Sequence, residues 1–210
     1  MSAQAVQNGD VHRAVAVLAA LAAGAHGQAV DPNTVYAYRV LDNPTTGDAF
    51  MFRGAIQQNA QTMSDRLFQA LSSILGGQAP SLNFTQTGSP LTPSDLSATR
   101  ATNTVNINPL GTWALTDPRS PFHNAAVTYV PHEQAHLRQT PDVFSSLPQA
   151  EGGAQAFADL VAPVAAKRAG IAFGGGNYDG SYAPFVQQVQ PLGREWILGT
   201  QFGHPAPSWP

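Results

Sequence analysis

Hydrophobic and polar positions repeat with two different periods along this chain, and the switches between them predict its elements. Apolar residues from Val11 to Ala25 recur as on one face of an amphipathic helix. Thr34–Leu41 (TVYAYRVL) alternates with period two and predicts a strand. Asn43 to Gly47 (NPTTG) then predicts a turn, and Ala49–Arg53 a short second strand that closes a hairpin. Thr62–Leu75 places Leu67, Leu71, Ile74 and Leu75 at helical spacing. Thr62 and Asp65 resemble a capping arrangement at its start, and Gly76 and Gly77 stop it.

Gln78–Thr102 is rich in Pro, Ser and Thr and predicts an irregular crossing or extended arm. Thr104–Asn108 (TVNIN) predicts a short strand, and Pro109–His123 a structured loop. An apolar run, Ala125–Val130, leads into a helix that starts near Pro131 and carries HEQAH, residues 132–136. Pro148–Ala169 predicts a second helix, kinked or divided at Pro163. From Gly174 onward Gly, Pro and aromatic residues dominate, with one short helix near Leu192–Leu198 and an extended tail, Phe202–Pro210.

With 210 residues and 43% hydrophobic content, the chain can bury one sizeable core. The pattern divides it into an N-terminal helical arm (1–33), a central domain (34–173) and a Gly/Pro/aromatic-rich C-terminal extension (174–210). Only 11% of residues are charged and the net charge is −3, so no basic surface suited to phosphate backbones is implied and nucleic acid is not an expected partner. The most apolar stretch, Ala14–Gly24, is about half of the ~20 residues that span a bilayer, so no membrane span is expected. Asp10 lies where a cleaved leader would be cationic, which favours the amphipathic helix over a signal peptide. The absence of cysteine removes thiolate metal sites and leaves imidazole and carboxylate as the strong ligands.

The chemistry concentrates in His132-Glu133-Gln134-Ala135-His136. Residues four apart share a helix face, so His132 and His136 can direct their imidazoles at one ion, with Glu133 beside it. Neutral imidazole suits zinc, and three protein ligands leave a position for water, whose proton Glu133 would accept during attack on a carbonyl. The third ligand has two candidates, Asp142 and Glu151. Asp142 sits where one version of the metzincin layout has a ligand, but Gln139 replaces the glycine that turns the chain there, and no methionine follows the motif. Glu151 opens the next helix, which a short loop with Pro141 and Pro148 could fold back across the first. His123 is a candidate donor or replacement ligand, and Tyr129, Tyr178 and Tyr182 are candidate oxyanion donors.

In His132, Glu133, His136, Gln139 and Glu151, with the Ala-rich run Ala154–Asp159, the chain resembles the gluzincin zinc metallopeptidases. The likeness is to small bacterial and phage-encoded domains with an HExxHxxQ helix followed by a Glu/Ala-rich one, and spans about forty residues. The resemblance implies Zn2+ held by His132, His136 and Glu151, with Glu133 as the base and peptide or protein as substrate. Three features set this chain apart: Pro131 directly before the motif, Gly152 and Gly153 directly after Glu151, and Gln155 where the family often has an acidic residue. Asp159 is the nearest substitute for steadying a ligand imidazole.

The expected architecture is therefore α+β and zincin-like: a small sheet, a motif helix and a second ligand-bearing helix, with loop-rich Pro/Gly arms. The expected activity is zinc-dependent peptide-bond hydrolysis, Glu133 activating a zinc-bound water. The low charge and long arms also suit a structural or assembly component, such as a phage tail or virion protein, with little activity on the same fold. Such a component would join a homo-oligomer or larger assembly, and the compartment stays open between virion-associated and secreted settings.

Overall fold

A computed structural model describes residues 47–85, 96–120, 122–175 and 182–208. The N-terminal helix, the strand over 34–41, Tyr178 and Trp209 lie outside the described residues. What is described is an α+β arrangement of helices around a three-stranded mixed sheet. Among the described residues, no helix is long and apolar enough to cross a membrane.

Helix α1 spans Gly47–Leu75, so Ala49–Arg53 is helical and not a hairpin strand. Five residues of alternating pattern carry little information, whereas Ile56, Ala60, Met63, Leu67 and Leu71 continue one helical stripe that packs into the core. Thr62 is interior to α1 rather than a cap: its hydroxyl donates to Gln58 O, one turn back, at 2.9 Å. The helix ends as expected, with Gly76 and Gly77 at φ 64° and 72°.

The stretch 78–102 contains two strands, β1 (Ser81–Phe84) and β2 (Leu96–Thr99), where an irregular arm was expected. They flank β3 (Thr104–Ile107) in the order β1-β3-β2, β1 parallel and β2 antiparallel to it. Strands of four residues with polar outward positions give too short an alternation to stand out from a Ser/Thr-rich background. Leu82, Leu96, Val105 and Ile107 point into the core.

Pro109–Thr116 is helix α2, not loop. Asn108 caps it, its side chain accepting from Gly111 N at 2.7 Å, with Pro109 in the first turn. Helix α3, His123–Arg138, begins two turns earlier than Pro131 suggested and runs through that proline. Pro131 costs one hydrogen bond to Val127 O, but the residues on both sides of it are buried, and that packing outweighs the loss. After the short α4 (Pro141–Phe144), α5 (Leu147–Ala169) likewise continues through Pro163, where a kink or break was expected.

The C-terminal segment is more regular than its composition suggests. It forms α6 (Ala183–Val189), α7 (Gly193–Leu198) and a 3-10 turn, Thr200–Phe202. Pro184 lies in the first turn of α6, where proline starts helices, so it is no breaker there. Phe202 packs edge-on against Phe157 of α5, ring centroids 5.1 Å apart.

Gly152 and Gly153 have a packing reason. A Cβ on Gly152 would lie closer than 3.0 Å to the backbone carbonyl of Phe185, and one on Gly153 would meet the Gln201 amide oxygen and the Trp196 ring. Glycine at both positions lets α6 and the C-terminal turn seat directly on α5 beside Glu151. Gly152→Ala is expected to push α6 off α5 and destabilise the fold by about 1–3 kcal/mol, read as a lower urea midpoint. An unchanged midpoint would show that this close approach is not maintained in solution.

Candidate metal centre

Helix α3 presents His132 and His136 one turn apart, both buried, and α5 brings Glu151 across to them. The three form a group that could hold a metal ion. The Nε2 atoms of the imidazoles are 3.0 Å apart, and Glu151 Oε2 lies 3.3 Å from His132 Nε2 and 3.4 Å from His136 Nε2. Asp142 is exposed in the first turn of α4 and takes no part in the group.

The protonation of these atoms follows from their neighbours. Gln139, the C-cap of α3, donates from Nε2 to the Ala150 carbonyl at 2.8 Å, an acceptor and nothing else. Its Oε1 therefore faces His136 Nδ1 at 3.0 Å, and Nδ1 must carry the hydrogen. Gln155 donates from Nε2 to the Asp159 carboxylate at 2.7 Å, so its Oε1 faces His132 Nδ1 at 3.1 Å and accepts a hydrogen from it. Each imidazole therefore carries a hydrogen at Nδ1 and, in its neutral form, presents a bare lone pair at Nε2. In the neutral pair two lone pairs and a carboxylate oxygen converge on one small volume. A cation there, a shared proton or a metal ion, would bind all three acceptors.

The electrostatics agree. Burial works against charge on Glu151, yet the two imidazoles outweigh it and hold the carboxyl well below its ordinary range. Burial lowers His132, whereas for His136 the opposing burial is exceeded by Glu151 and Glu133, which raise it.

Beside this group lies a cavity of about 370 Å³. Its walls are Leu96, Ser97 and Ala98 of β2, Glu133 and His136 of α3, Phe144, the face of α5 that carries Leu147, Ala150 and Glu151, and Tyr182. Glu133 is buried in that wall. Phe144 and Leu147 are exposed large apolar residues at its edge, and the Arg100 guanidinium lies 4.5 Å over the Phe144 ring. The Tyr182 ring is 4.9 Å from that of His132, and the Tyr129 ring 5.9 Å from it. Of these two tyrosines only Tyr182 lines the cavity.

His123 is not part of the group. It opens α3 as a buried residue, its ring nitrogens each 2.8 Å from a carbonyl oxygen, Ala114 O and Ala172 O, which ties α2 to the segment after α5. The sequence pattern assigned Gln139 no supporting role, presenting it only as an absent glycine and as part of the HExxHxxQ resemblance. It also missed Gln201, which nothing in the spacing points to. Comparison with family models, curated proteins and solved structures finds no match for this chain.

Proposed function

We propose that this protein is a zinc-dependent peptidase with a zincin-like fold. The observation that carries the reading is the convergence of the two imidazole Nε2 atoms and one carboxylate oxygen at the wall of a cavity that also holds Glu133. Zinc bonds of about 2.0–2.1 Å in a tetrahedral site place ligand atoms about 3.3–3.4 Å apart. The separations here are 3.0, 3.3 and 3.4 Å, so the donor set suits zinc in size as well as in chemistry. A zinc ion held by His132, His136 and Glu151 would supply Lewis acidity at the cavity wall.

The chain's own residues supply the rest. Glu133 accepts the proton of the attacking water as the new carbon–oxygen bond forms, then delivers it to the leaving amine as the carbon–nitrogen bond breaks. Tyr182, beside His132 at the cavity wall, donates to the carbonyl oxygen as charge develops on it. Strand β2 pairs among the described residues with β3 alone, and its Ser97 and Ala98 line the cavity. An extended peptide laid along that edge would satisfy its backbone groups and bring a carbonyl to the metal group. Phe144 and Leu147 at the rim favour an apolar side chain on that peptide.

The test is cleavage of an unfolded-protein or peptide panel by the zinc-loaded chain. Cleavage that stops with a chelator and returns with zinc is expected. A chain carrying a full complement of zinc that leaves the whole panel intact would overturn the peptidase reading.

A further inference from the structure

The C-terminal turn reaches the metal group through two glutamines, and we infer that Gln201 is a positioning residue for His136. The inference rests on reading His132, His136 and Glu151 as metal ligands. Gln201 is completely buried, and its Nε2 donates to the carbonyls of Ile197 at 2.6 Å and Gly153 at 3.2 Å. Both partners can only accept, so Gln201 Oε1 is the atom left to face Gln139 Nε2, at 3.1 Å. The main chain repeats the link, Thr140 N donating to Gln201 O at 2.9 Å. Gly153 makes room for it, since a Cβ there would collide with Gln201 Oε1.

This contact sets which way the Gln139 amide points. Held by Gln201 Oε1 and Ala150 O, the amide nitrogen stays on that side and the oxygen stays on His136 Nδ1. Without Gln201 only the Ala150 carbonyl opposes a turn of the amide, and a fraction of molecules turns over and presents the NH2 group to Nδ1. The hydrogen of His136 then moves to Nε2, the atom that must be bare to bind a metal. His132 is insulated from this, because its partner Gln155 is held by Asp159 within α5. Loss of Gln201 therefore acts on one ligand and spares the other.

The experiment reads the imidazole nitrogens of the full metal-free chain by 15N NMR, at a pH where His136 is neutral, and Zn2+ affinity by competition with a chelator. In Gln201→Met, His136 is expected to populate both tautomers while His132 keeps its Nδ1 hydrogen, and Zn2+ affinity to fall about tenfold. Gly153→Ala, which crowds the same oxygen from α5, is expected to act alike. Phe202→Leu, which loosens the same turn without removing a hydrogen bond, is expected to lower Tm and leave both readouts unchanged. A single Nδ1–H tautomer of His136 in Gln201→Met, or an equal loss of Zn2+ affinity in Phe202→Leu, would overturn the assignment. If the wild type takes up no Zn2+, the metal reading fails, and the nitrogen spectra still decide whether Gln201 positions His136.

Discussion

Glu133→Gln is expected to keep the metal and lose the hydrolysis. Glutamine has the shape of glutamate but cannot take a proton at neutral pH, so the substitution removes the base and little else. The residues that would hold the metal are His132, His136 and Glu151, and their glutamine supports are Gln139 and Gln155, none of which is altered. General-base catalysis contributes on the order of 10²–10⁴ in rate, and a loss of that size in kcat with zinc content unchanged is the expected outcome. One secondary effect is also expected. The Glu133 carboxylate is among the groups that raise His136, so the variant should bind zinc down to a slightly lower pH. Full activity in Glu133→Gln would remove Glu133 from the mechanism, and loss of zinc in that variant would make it a structural support of the site instead.

The second large effect is on stability, and its sign depends on what fills the site. His136 is raised above its ordinary value of 6.5, so in the metal-free chain its protonated form adds stability that is complete below pH 6.5 and is lost as pH rises through the raised value. His132 is lowered by burial and is neutral above 6.5 in folded and unfolded chains alike, so it adds no slope there. Glu151 is held low and ionised throughout that window. The chelated protein should therefore lose Tm as pH rises above 6.5 and through the raised value of His136. Zinc reverses the trend because it replaces the proton, and a rising pH removes the competitor. At a free zinc concentration about a thousandfold above Kd the gain is about 4 kcal/mol. For a chain of this size that is roughly 8–16 °C in Tm. Two Tm curves that diverge with rising pH are the expected signature, and parallel curves would contradict the assignment of both proton and metal to His136.

Much of the site was legible because its information is local. The His132–His136 spacing is a property of one helix turn, and Glu151 was the carboxylate that a short connection could return to it. The supports were legible only in part: Asp159 was expected to steady an imidazole and does so through Gln155, whereas Gln139 works through Ala150 and Gln201, and Gln201 lies 62 positions further along the chain. The same division holds for the fold. The long apolar stripe of α1 and the Ala-rich α5 were foreseen, including where each helix ends, whereas the start of α1 at Gly47, well before Thr62, was not. The strand expected at Ala49–Arg53 is helix because tertiary packing of Ile56 and Ala60 extends the pattern backwards. Prolines misled most: Pro109 and Pro184 open helices, Pro131 sits buried inside α3, and Pro163 lies exposed inside α5, whose neighbouring Val161, Ala162 and Ala165 are buried in the core. Gly152 and Gly153, read as a departure from the gluzincin pattern, are where two later elements touch α5.

Metal analysis of the wild-type chain beside His136→Ala tests the central claim most directly, that three converging acceptors are built to share one divalent ion. After exposure to zinc and removal of the excess, the wild type is expected to retain about one equivalent and the variant, reduced to one imidazole and one carboxylate, almost none. A wild type that keeps no zinc, or a variant that keeps as much as the wild type, would contradict it.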